Sequence, residues 1–120
     1  MTPEELRSRT KKFAIQSVKL FRSLPNRPDA QVIGKQLLRS ATSVAANCRA
    51  SQRSRSHTEF IAKLGIVVEE ADETVFWLEL LTEAGIIPSN RVGALCEEAR
   101  QLLAIFASSQ KTARERYGKH

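Results

Sequence analysis

The sequence predicts an all-α protein, an antiparallel up-down-up-down four-helix bundle in which residues 1–120 form one domain. Three observations carry that expectation. Apolar residues in the second half of the chain recur at alternating spacings of three and four, an average near 3.5 residues, which is the seam of helices packed almost parallel. Two capping boxes, Thr2 to Glu5 and Ser56 to Glu59, mark helix starts. The five glycines and four prolines leave long stretches without a helix breaker. At 42% apolar and 27% charged residues, a chain of 120 is suited to one domain with a modest core and is too apolar to be disordered.

The first helix is expected from Pro3 to about Leu24. Thr2 supplies the cap, and proline suits the first helical position because its missing N–H would have no partner there. Two prolines and an asparagine in Pro25 to Asp29 then make a tight connection. The second helix is expected from about Asp29 to Ala50, with Ile33, Leu37, Ala41, Val44 and Cys48 on its apolar face. Gly34, Ala41, Ala45 and Ala46 make it slim enough for a close neighbour. The third helix follows Ser56, places Ile61, Leu64, Val68, Ala71, Val75 and Leu78 on its seam, and stops at Ala84-Gly85. After Ile86 to Asn90 the fourth helix repeats the seam with Val92, Leu95, Ala99, Leu102, Phe106, Ser109 and Ala113. Short connections make successive helices antiparallel neighbours.

The net charge is +6, but its distribution says more. Residues 59–83 hold seven acids against Lys63 alone, a net −6, so the rest of the chain carries +12. Between Asp29 and Glu59 there are five bases, Lys35, Arg39, Arg49, Arg53 and Arg55, and no acid. At about 100° per residue, Lys35, Arg39, Arg49 and, if the helix continues that far, Arg53 fall within about 80° of one another, opposite the apolar face, over roughly 27 Å. Such a stripe could follow a phosphate backbone. The solvated back of an amphipathic helix explains the polarity equally well, though not why every charge is positive. Few aromatic residues accompany these bases, so stacking on single-stranded bases is not the expected mode.

Other features narrow the function. On the third helix Ile66, Trp77, Leu80 and Leu81 gather away from the seam, a patch that monomers seldom leave in water, and they are the expected subunit interface. Closed symmetry would repeat the basic stripe around a ring. The run Glu69-Glu70-Ala71-Asp72-Glu73 invites a di-iron reading, but the chain has no Glu-x-x-His and only two histidines, so no metal site is expected. A solvated acidic face, or salt bridges to a basic neighbour, accounts for the run better. No phosphate-binding glycine loop and no nucleophile with a supporting base appears, so no catalytic residue, cofactor or enzymatic activity is expected. His57 reads as a loop residue. Cys48 and Cys96, in separate helical patterns, read as buried free thiols of a reducing compartment. No apolar run is long enough to span a membrane, and the opening Met1 to Thr10 lacks the core of a secretory signal, so a cytoplasmic location is expected.

The stretch LLRSATSVAANCRASQRSRSHTEFIAKLGIVVEEADETVFWLELLTEAGII, residues 37–87, resembles a four-helix-bundle family first noticed in open reading frames within intervening sequences of bacterial 23S ribosomal RNA genes. The matching elements are Arg39 to Asn47, the Arg/Ser segment Arg53 to Ser56, Glu59 to Leu64, the acidic Glu69 to Glu73, and Leu81 to Ile86. The resemblance implies a cytoplasmic bacterial protein that assembles as a homopentamer. A related branch includes the accessory variability proteins of diversity-generating retroelements, which implies nucleic acid and a reverse transcriptase as partners. Many members carry Ala-Asn-Ile-Ala-Glu-Gly after the second helix, where this chain has Ala46-Asn47-Cys48-Arg49-Ala50-Ser51, a more basic corner. Two functions stay open on this reading. One is a homo-oligomer that holds structured RNA or DNA by phosphate contact. The other is a homo-oligomeric scaffold that binds a protein partner and uses its arginines for solubility and for pairing with the acids of the third helix.

Overall fold

The computed structural model describes residues 1–117 and contains four helices: α1 (Pro3–Arg22), α2 (Pro28–Ser51), α3 (His57–Glu83) and α4 (Ser89–Tyr117). Each start has a local cause. Thr2 Oγ1 accepts from the Glu5 amide at 3.1 Å, and Pro3 opens α1. α2 also opens on a proline. Its N-cap, Arg27, makes no side-chain capping bond, and Asp29 Oδ1 accepts from the Ala30 amide at 2.8 Å instead. Ser56 Oγ caps α3 through the Glu59 amide at 3.1 Å, while the Glu59 carboxylate accepts from the Arg55 amide. α3 ends where the Gly85 amide donates to Thr82 O and the Ile86 amide to Leu81 O, a paired C-terminal cap that needs the positive φ of 72° at Gly85. His57, expected in a loop, is the first residue of α3.

The helices run side by side in a body of 50 × 23 × 21 Å. Partners along adjacent helices run in opposite numerical directions. Arg7 meets Gln52 while Phe21 lies against Gly34, Gly65 lies near Gln110 while Glu79 meets Arg100, and Arg9 meets Glu98 while Ser23 meets Arg91. The core is built on Phe13, Leu37, Val44, Val67, Leu78, Leu81, Leu102 and Phe106, all almost wholly buried. Five buried hydroxyls, of Thr10, Ser17, Ser40, Ser51 and Thr74, interrupt it at no cost in unmet hydrogen bonds. Thr10, Ser17, Ser40 and Ser51 each donate to a backbone carbonyl three or four residues back, and the single Thr74 hydroxyl proton has two acceptors in reach, Glu70 O at 2.7 Å and, across to α2, Ser40 Oγ at 2.9 Å.

The buried line of α3 is Leu64, Val67, Ala71, Thr74, Leu78 and Leu81, whereas Ile61, Val68 and Val75 of the expected seam are only half-buried. α3 packs extensively on both α2 and α4, so its buried sector is wide and turns toward α2. A spacing rule that follows apolar residues alone passes over Thr74, whose hydroxyl is satisfied in place. α1 and α4 make the least contact of the adjacent pairs, and a hollow of about 730 Å³ opens between them. The Arg9 guanidinium bridges it with two bonds of 2.7 Å to the Glu98 carboxylate.

Candidate nucleic-acid interface

The back of α2 carries the bases that the sequence predicts there. Lys35, Arg39 and Arg49 are exposed on it, and Arg53 and Arg55 are exposed in the turn that follows its end at Ser51. They do not behave as one stripe. Arg39 donates to Glu70 at 3.0 Å and to Glu73, and its Nε donates to Gln36 at 3.1 Å. Glu73 also accepts from the Trp77 indole at 3.1 Å. These bonds, the indole's foremost and then that of Arg39, hold the Glu73 carboxyl below the usual carboxylate range. The Glu73 bond and then the Glu70 bond push the Arg39 guanidinium further up. One guanidinium against two carboxylates leaves no positive charge to offer a phosphate. Arg39 thus stands at the centre of an α2–α3 ion cluster. Lys35 stands beyond it, roughly 21 Å along the helix from Arg49 at 1.5 Å per residue.

The positive charge concentrates at the other end of α2. Arg49 and Arg53 form a ridge between two shallow hollows. One, of about 720 Å³, is shared with α1 and is lined by Arg7, Lys11 and Glu4. The other, of about 510 Å³, is shared with the turn and α3 and is lined by Arg55, Lys63 and Glu59. Six bases from three helices and a turn thus face two acids, one of which already accepts the Arg55 amide. Among the described residues none of the six bases makes an ion pair. Arg7 is steadied by a 3.1 Å bond to Gln52, whose amide in turn donates to Pro3 O at 2.8 Å, fastening the start of α1 to the end of α2. The surface between Arg49 and Arg53 is floored by Ala46 and Ala50, so a ligand backbone meets no bulky side chain.

Arg7, Lys11 and Lys63 were not among the residues picked from the sequence. Arg7 and Lys11 share a face of α1 by their spacing of four, a legible signal. Only the pairing of the start of α1 with the end of α2 places them beside Arg49. Lys63 was noted as the single base of an acidic segment, and the turn of α3 toward α2 brings it to the hollow.

The residues expected at a subunit interface are partly rearranged. Ile66 is 39% exposed, and Trp77 and Leu80 are half-buried at the α3 surface. Leu81 is fully buried in the core and is withdrawn from that face, because the rotation of the α3 seam carries it inward. Phe76, which sequence reasoning missed, is 52% exposed and meets Trp77 edge to face with ring centroids 4.9 Å apart. Its spacing of four from Leu80 was the available signal. Val32 of α2 is also exposed, at 64%. Glu70 and Glu73, noted in the acidic run, are held by Arg39. Cys48 and Cys96 are buried free thiols, both pushed up chiefly by burial, which keeps them protonated and inert. Among the described residues no helix is long and apolar enough to cross a membrane.

Comparison with known proteins agrees with this architecture. Residues 5–108 match the model of the 23S rRNA-intervening sequence protein family. The chain is similar to a solved structure of a protein of unknown function from the S23 ribosomal protein family of Bacteroides thetaiotaomicron, with 32% identity, a TM-score of 0.85, and coverage of 92% of this chain and 99% of that one. No curated protein matches the chain. With a family match over most of its length and a structural relative that it covers almost completely, the chain belongs to the 23S rRNA-intervening sequence protein family.

Proposed function

We propose that this protein is a non-enzymatic, homo-oligomeric bundle that holds structured RNA by phosphate contact at its basic end. The observation that carries the reading is the gathering of Arg7, Lys11, Arg49, Arg53, Arg55 and Lys63 around two hollows without ion-pair partners among the described residues. The contrast with Arg39 sharpens it. Where α2 faces the acids of α3, its base is neutralised, and where it faces other bases, the charge is left in solvent. Like charges crowded at one end cost folding stability, and an anionic partner offsets that cost. Assembly through the face of Ile66, Phe76, Trp77 and Leu80 would present several basic ends together and raise the effective concentration of phosphate contacts.

The test is fluorescence anisotropy with an RNA hairpin and a duplex DNA across a salt series, with mass measured on the same sample. Binding at low salt should fall with a log–log slope of about −0.9 per phosphate neutralised on a duplex. The triple change Arg49→Glu, Arg53→Glu and Arg55→Glu should abolish binding and leave helix content and mass unchanged. Arg39→Gln should leave affinity near that of the unaltered protein. An intact assembly that ignores both nucleic acids at low salt overturns the reading. It would favour a scaffold for a protein partner, the alternative to which the exposed Phe76 and Val32 lend weight.

A further inference from the structure

His57 opens α3 and Tyr117 closes α4, and the opposed direction of these helices brings the two rings together at the basic end of the bundle. They lie face to face with centroids 3.7 Å apart and planes 2° from parallel. Both residues are exposed, Tyr117 by 40%. Neither side chain makes a hydrogen bond among the described residues, and no third ring stacks on either. On α4, Tyr117 continues the line of Phe106 and Ala113 at spacings of seven and four, so the apolar seam emerges at the end of the molecule as a flat aromatic surface. Packing alone would favour an offset or edge-to-face contact, as Phe76 and Trp77 adopt. A parallel pair instead leaves an outer π-face that a further planar group can extend.

The surroundings select the planar group. Arg55 precedes His57 by two residues, at most about 7 Å of chain, and Arg53 lies two residues before that. Phosphate contacts fix a strand but do not distinguish paired from unpaired bases. An aromatic platform does, because a base inside a duplex has both faces stacked on its neighbours and none left to offer. We infer that the His57–Tyr117 pair is a stacking platform for an unpaired nucleobase, at a strand end or loop, of an RNA whose phosphates are held by Arg53 and Arg55. The inference rests on the phosphate-contact function proposed above. It adds to that function a preference for junctions between paired and unpaired RNA, a mode the sequence did not suggest because His57 and Tyr117 lie far apart in it.

The experiment compares an RNA hairpin with the same hairpin bearing a short unpaired tail that contains a fluorescent adenine analogue. The tail should tighten binding by roughly 5- to 150-fold, the range of one stacked base, and the analogue's emission should be quenched on binding. Tyr117→Ala should remove both effects while the tailless hairpin keeps its affinity and salt slope. Tyr117→Phe should retain both. Equal affinity for the two hairpins in the unaltered protein overturns the platform and leaves the phosphate reading standing. A tail preference that survives Tyr117→Ala also overturns it. Binding to neither hairpin defeats the phosphate reading, and the platform with it.

Discussion

Glu73 shows how one side chain decides the meaning of its neighbours. Its carboxylate accepts from the Trp77 indole and from Arg39, and both bonds are made to the ionised form. The folded-state pKa is therefore depressed. The stabilisation is fully present above the ordinary carboxylate value of 4.5 and is lost as pH falls through the lower folded value. Trp77 is the only tryptophan in the chain, so its emission should report this titration with a midpoint below 4.5, and Glu73→Gln should remove the transition. The side chain is 36% exposed, and the stability change should be correspondingly small. The position of each base along α2 was legible from spacing. That Arg39 is spent on two carboxylates was not, because the pairing depends on how α3 is rotated against α2.

At the scale of elements, the helix ends were the most legible feature, since a cap is a contact between residues three or four apart. Thr2, Ser56 and Gly85 act where the sequence placed them. The glycines of the chain give opposed expectations. A Cβ on Gly93, within α4, would meet nothing within 4 Å, so Gly93→Ala should stabilise the protein by about 0.5–1 kcal/mol through helix propensity. Gly85 also has open space, but its φ of 72° favours glycine, and Gly85→Ala should cost about 1 kcal/mol. Thermal or urea unfolding of the two variants checks both signs. The α3 seam was less legible than the ends. Thr74 is a buried polar residue whose hydroxyl is met by Glu70 O in its own helix and by Ser40 on α2, and apolar spacing gives no sign of it.

At the scale of the whole molecule, the proposed assembly and the core make separable demands on α3. Phe76 is 52% exposed, so Phe76→Glu should leave the fold within about 0.5 kcal/mol of its stability while shifting the assembly toward monomer. Mass in solution and circular dichroism on one sample separate these effects. Leu81 is fully buried, so Leu81→Ala should instead cost about 2–5 kcal/mol of folding stability, read as a lowered urea midpoint. Had both residues faced outward, the two changes would act alike. The basic end belongs to this scale as well, because Arg7, Lys11, Arg49, Arg53, Arg55 and Lys63 come from segments that only the packed bundle unites.

By itself the sequence determined the four helices, the caps of α1 and α3, the exposure of the α2 bases and the resemblance that the family match upholds. These follow from interactions within a few residues of one another, whose periodicity is written directly into the chain. The tertiary structure decided which guanidiniums stay unpaired, which way α3 turns, that Leu81 belongs to the core, and that His57 and Tyr117 meet. Each of those depends on side chains carried by different helices. Their rotation about one another is set by the packing of the whole core, which spacing along one helix does not encode.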